Sequence, residues 1–227
     1  MQNNSTNSIK ASIGDIIEGV IVLTLGFGLF IYSSTISLFQ NISTTTSQTY
    51  TSYDFVFIVT YEIIVLIIIA YFLKYRKWNL NDFNLEFKLK MIGIAILLVV
   101  LKETTGTLLI KILTLLNVFE YETTKPDISL HVNAISIVLI TVINSIYEEL
   151  LLIGYIFKRF EKYNTVIIIL VSFVVRASFH TYQGWLKLPM VFIMAIIFGL
   201  YYIKYKKLWP IIIAHGIGNG YYFLTEQ

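Results

Sequence analysis

The sequence contains no cysteine, only 3 prolines in 227 residues, and few charges: Asp, Glu, Lys and Arg make up 14%, against about 25% in an ordinary soluble domain. Lack of cysteine excludes a disulfide framework, a Cys-ligated zinc and a thiol nucleophile. The scarcity of charge, with a formal net of only +3, excludes a nucleic-acid binder, whose basic residues must be dense and clustered. There is no Gly-rich phosphate loop, no basic amphipathic element and no internal repeat. What is abundant is apolar: 56% hydrophobic residues and a mean hydropathy of +0.73. A soluble globule of this length, one domain or two, could not hide that much apolar surface. Most of it must face lipid or other lipid-embedded helices.

Long apolar runs separated by short polar stretches predict an all-α, polytopic membrane helix bundle of about seven spans: Ile16 to Leu38, Phe55 to Leu73, Met91 to Leu116, Val132 to Phe157, Thr165 to His180, Leu188 to Ile203 and Trp209 to Phe223. Roughly 20 residues cross the hydrocarbon core, so the first four are comfortable and the last three short. Lys102, Glu103, Gly106 and Lys111 lie inside the third, which is expected to break or to continue as an interfacial segment. The first run is too long for a signal-peptide core and is read as a retained span. The chain divides into a flexible, Asn/Ser/Thr-rich tail (1–15), N-terminal transmembrane helices (16–130) and a C-terminal bundle (131–225) carrying the polar site.

Basic loops alternate with neutral or acidic ones. Lys74, Arg76, Lys77, Lys88 and Lys90 follow the second span, Lys158, Arg159 and Lys162 the fourth, and Lys204, Lys206 and Lys207 the sixth. The stretch from Gln40 to Ser52 has no Lys or Arg, and Glu120 to His131 has only Lys125. Because Lys and Arg stay cytoplasmic in short loops, the N-terminus is predicted to be cytoplasmic. The Ile-, Asn- and Lys-rich composition leans towards a bacterial cell membrane.

Ionisable residues within spans are costly and tend to mark function. Glu148 and Glu149 lie in the fourth span, Arg176 and His180 in the fifth, and His215 and Asn219 in the seventh. His215 and Asn219, four apart, share one helix face, as do Arg176 and His180. Glu148 and Glu149 project about 100° apart, so one is expected to face a reaction centre while the other braces it. Glu62 and Glu18 have no partner at helical spacing.

Together these segments resemble the CPBP family of intramembrane proteases, also called the CAAX protease and bacteriocin-processing, or Abi, family. The resemblance spans Ala134 to Tyr222. Of the family pattern Glu-Glu-x-x-x-Arg-Gly, Glu148, Glu149 and Gly154 match, but Ile153 replaces Arg. Of Phe-x-x-x-His, His180 matches and Arg176 stands in place of Phe. Of His-x-x-x-Asn, His215 and Asn219 both match, after Leu208-Trp209-Pro210. The resemblance implies peptide-bond hydrolysis at a membrane, on a peptide or membrane-protein substrate. Glu148 would activate water with help from His180, while His215 and Asn219 stabilise the oxyanion. The same resemblance leaves open a single zinc ion on Glu148, His180 and His215 instead of metal-free chemistry.

Three expectations follow. Arg176 should reach Glu149 and replace the guanidinium missing at Ile153. The site should open to the cytoplasmic half of the bilayer, since Glu148 and His215 lie nearer the basic loops. Helical rise places Glu148 roughly 14 Å, His215 about 9 Å and His180 about 22 Å from the basic ends of their spans. That spread requires the fifth helix to start later than Thr165, or the loop from Gln183 to Pro189 to dip back into the bilayer. The competing reading is a non-proteolytic membrane protein of the same fold, a binding or regulatory partner, favoured by Ile153. A small transporter would carry paired repeats, and none is present.

Overall fold

The structure, a computed structural model, describes residues 13–43, 48–118 and 128–225. The tail 1–12, residues 44–47 of the neutral loop and residues 119–127 of the acidic loop lie outside the described residues. The chain forms helices α1 (Ile13–Ser43), α2 (Ser52–Tyr75), α3 (Lys90–Leu115), α4 (Ala134–Glu149), α5 (Ile156–Arg159), α6 (Thr165–His180), α7 (Leu188–Tyr205) and α8 (Trp209–Thr225). A π-helical stretch, Leu150–Tyr155, joins α4 to α5, so that Ala134–Arg159 is one span. Among the described residues, six stretches are long and apolar enough to cross a membrane. The seventh long helix, α8, has 17 residues, at the lower limit for spanning.

Local signals set several boundaries. Thr51 and Asp54 form a capping box ahead of α2, with the Thr51 amide donating to the Asp54 carboxylate at 2.8 Å. The Asn133 side chain accepts from the Ser136 amide at 2.9 Å to start α4, and Asn164 accepts from Val166 at 2.8 Å to start α6. Each side chain satisfies an amide that the helix leaves unpaired, which matters most at the edge of a medium without water.

Two details differ from the sequence reading. The third span is one unbroken helix of 26 residues. Lys102 is turned inward (7% exposed) and ion-pairs with Glu103 at 2.6 Å, so its charge is met by a side chain and the backbone need not break. A short parallel pairing of β1 (Gln48–Thr51) with β2 (Ile128–His131) ties two loops together at one end of the otherwise helical bundle.

The seven long helices close a ring: α1 packs on α2, α2 on α4, α4 on α8, α8 on α3, α3 on α7, α7 on α6, and α6 back on α1. One end of the ring carries Lys74, Arg76, Lys77, Lys88, Lys90, Lys158, Arg159, Lys162, Lys204, Lys206 and Lys207. There Glu18 is far from isolated: Arg76 donates to it at 2.7 Å, Arg159 at 2.8 Å, Trp78 at 3.1 Å and Tyr155 at 3.1 Å. This is a structural clamp joining α1, the end of α2 and α5. At the same end Lys207 pairs with Glu86 at 2.7 Å, and Lys207 with Lys88 pulls the Glu86 carboxyl down to about 2.

The ring is filled on that side. Leu151, Leu152, Ile153, Tyr155, Ile156 and Phe157 are each no more than 1% exposed, so the π-helical stretch and α5 form a dry plug. The opposite end is joined by lighter contacts: Ser34 with the Thr181 hydroxyl and Tyr182 amide, and Ser52 with the Asn133 amide.

Candidate active site

The plug begins one residue after the glutamate pair. A π-helical turn inserts a residue into the helical register and recurs at functional sites in other folds; here it marks the boundary between packed core and open space. Above it lies a chamber of about 550 Å³, with walls supplied by all seven long helices. Part of the wall is apolar, including Phe27, Phe30, Phe55, Ile58, Phe179 and Met194, and it is interleaved with polar side chains, among them Glu62, Lys102, Glu103, Asn144, Glu148, His180, His215 and Asn219.

Arg176 organises the deepest polar group. It is fully buried and places its guanidinium between the two glutamates, with Nη1 donating to Glu148 Oε2 at 3.0 Å and Nη2 donating to Glu149 Oε2 at 3.1 Å. Nη1 also lies 2.9 Å from Glu149 Oε1. The reach expected between Arg176 and Glu149 is therefore present, and it extends to Glu148. Adjacent glutamates converge despite their angular separation because a planar guanidinium offers a wide fork of donors that long side chains can meet from two directions. On its other side, Glu149 Oε1 lies 2.6 Å from His215 Nδ1. Glu149 and Arg176 are absent from the chamber wall, whereas Glu148 and His215 line it. The braced and facing members of the pair are thus separated.

His180 is not gathered into this group. Helix α6 starts at Thr165 and ends at His180, so the later start expected from the depth arithmetic does not occur. The 3-10 turns Thr181–Gln183 and Trp185–Lys187 follow. His180 instead sits in the wall of the same chamber, its ring 4.7 Å from that of Phe179 and its Nδ1 buried with no hydrogen-bond partner among the described residues. An unmet buried donor or acceptor is costly, and one beside a chamber is available to hold water or substrate.

Asn219 brings in Asn144, which the sequence analysis does not single out, and Glu62, which it marks only as a carboxylate without a partner at helical spacing. Asn219 Nδ2 donates to Asn144 Oδ1 at 3.0 Å, and Asn144 Nδ2 donates to Glu62 Oε1 at 2.7 Å. Glu62 is fully buried, and its Oε2 has no partner among the described residues. Asn144 was accessible to sequence reasoning, because it lies four residues before Glu148 and so on the same helix face. The Glu62 contact crosses from α2 to α4 and had no local signal beyond a lone carboxylate in an apolar span.

Among the described residues, Glu148, Glu149 and His215 form the group whose potential ligand atoms come within 4.8 Å of one another. They do not fit a zinc ion well. The Arg176 guanidinium already contacts both carboxylates, and His215 Nδ1 is engaged by Glu149. The expected set of Glu148, His180 and His215 is not assembled.

The architecture is that of a multi-pass membrane bundle with a carboxylate–histidine site sunk between its helices. Residues 130–221, the stretch containing all three motifs, match the family model described as type II CAAX prenyl endopeptidase Rce1-like. The match covers 92 of the 227 residues and is a likeness of that stretch alone. No curated protein and no solved structure matches the chain.

Proposed function

We propose that the protein is an intramembrane endopeptidase that hydrolyses peptide bonds of membrane-associated peptides or proteins. The observation that carries this reading is Glu148, held by Arg176 yet facing a chamber it shares with His180, His215 and Asn219. Buried charge is tolerated when it is paired and balanced. His215 Nδ1 lies 2.6 Å from Glu149 Oε1, which leaves Nε2 as the ring nitrogen that can serve the chamber.

In the reaction, Glu148 takes a proton from a water that His180 helps to hold. The water oxygen bonds to the scissile carbonyl carbon. Negative charge on the carbonyl oxygen is met by His215 Nε2 and the Asn219 amide, the type of stabilisation that dominates acyl-transfer catalysis. Collapse breaks the C–N bond, and the proton held by Glu148 passes to the leaving amine. The Arg176 fork supports metal-free chemistry, since it supplies the positive charge that an ion would bring between the glutamates. Arg176 also weakens the case for a non-proteolytic protein, because it meets the need left by Ile153. The test compares cleaved peptide termini in membranes expressing the native chain or Glu148→Gln at equal abundance. Disappearance of a discrete set of termini is expected. Identical sets would overturn the reading.

A further inference from the structure

The basic end of the ring is closed by its own core, while the chamber lies wholly on the other side of the glutamates. Its wall is drawn from the C-terminal half of α1, the N-terminal half of α2, the C-terminal end of α6, the N-terminal end of α7 and the C-terminal half of α8; it reaches Ser37, Asp54, Gln183 and Thr225. Every one of these stretches points away from the basic loops. None of the residues from Leu150 to Arg159 lines it. The described Lys residues towards that end are Lys111 and Lys187, against eleven Lys and Arg at the plugged end. An asymmetry of that size in short loops sets orientation, with the basic side in the cytoplasm. Access from the cytoplasm, expected from the position of Glu148 and His215 within their spans, would require a route through the fully buried plug.

We propose that the chamber takes its substrate from the extracytoplasmic side of the membrane. The substrate class is then an extended, largely apolar peptide segment exposed on, or inserted from, the outer face, and not a chain terminus presented in the cytoplasm. The substrate part rests on the peptidase reading; the access side does not. Water for hydrolysis reaches Glu148 by the same route, because a polar chamber is the one place where irregular backbone and charge are tolerated at membrane depth.

Single cysteines test this without background, since the native chain has none. Met194→Cys reports the inner chamber, Ser37→Cys its outer wall, and Lys162→Cys the basic end. Each variant is treated with a charged, membrane-impermeant methanethiosulfonate in right-side-out cells and in inverted vesicles, after full modification in detergent-solubilised protein confirms a reactive thiol. The expected result is modification of Ser37→Cys and Met194→Cys from the outside alone, and of Lys162→Cys in inverted vesicles alone. The reverse pattern, modification of Met194→Cys from the cytoplasmic side, or no modification of it from outside while Ser37→Cys reacts, would overturn the proposal. The termini lost with Glu148→Gln supply the second arm: they should map to segments outside the cytoplasm, and cytoplasmic cleavage sites would overturn the substrate class. If labelling is as expected but no termini change, the peptidase reading fails and the access side stands.

Discussion

The two ends of the helix ring solve the same problem, charge inside a membrane, in opposite ways. At the basic end Glu18 is surrounded by Arg76, Arg159, Trp78 and Tyr155, and the space beneath is packed with apolar side chains. Every polar atom of that carboxylate has a partner, so nothing is left to react. At the other end Glu148 shares one guanidinium with Glu149, and its neighbours include a histidine nitrogen and a Glu62 oxygen with no partner among the described residues. Saturated polar groups rigidify a structure, and unsaturated ones mark where a ligand is awaited. The π-helical stretch separates the two regimes.

Variants on either side of that stretch should behave differently, and the comparison breaks if they do not. The largest effect is expected for Glu148→Gln: turnover falls by about a thousandfold, within the range for a lost general base, with thermal stability in detergent close to native. Next is Arg176→Ala, which leaves two carboxylates buried without their counter-charge. Such a loss costs about 3–5 kcal/mol, read as a lowered unfolding midpoint, and Arg176→Lys should recover only part of it because an ammonium lacks the fork.

Leu152→Ala lies in the plug and should cost about 2–4 kcal/mol through the cavity it opens, while turnover per folded molecule stays unchanged. A specific loss of turnover in that variant would erase the distinction between the two ends. Glu62→Gln sharpens the comparison within the chamber. Glu62 Oε1 accepts from Asn144 Nδ2, which leaves Asn144 Oδ1 for Asn219; a glutamine can turn either its oxygen or its amide group towards Asn144 and release that order. A drop of about tenfold in kcat with little change in KM is expected, typical of a positioning group, equivalent to about 1.4 kcal/mol.

The smallest effect concerns the exposed Glu86–Lys207 pair. The Glu86 carboxyl titrates from an ordinary 4.5 when unfolded to about 2 when folded. Its depressed value means that the pair contributes above the unfolded value and is lost as pH falls towards about 2. Glu86→Gln should therefore leave unfolding below that pH unaltered and lower stability only slightly at neutral pH, as exposed pairs do.

Much of this was legible in the sequence because membrane spans are written locally. Apolar length gives the number of helices, and capping residues such as Asn133 and Asn164 give their starts. Charged residues within the spans mark the candidate site, and the spacing of His215 and Asn219 puts both on one face. Arg176 could be matched to Glu149 from chemistry alone, since two unpaired charges in apolar spans are costly apart. The unbroken α3, with Lys102 turned inward against Glu103, was not legible, because a side-chain pair can spare the backbone a break that composition alone predicts.

What the sequence by itself determined was the medium, the helices and the chemical identity of the site, all of which depend on residues near one another in the chain. The tertiary structure alone decided which face of the site is open. That depends on which half of the ring its own side chains fill, and filling is a property of seven helices packed together: the plug from Leu151 to Phe157 and the chamber beyond Glu148 belong to neighbouring turns of one span. The partners supplied by α1, α6, α7 and the loop before α3 make one half solid and leave the other hollow.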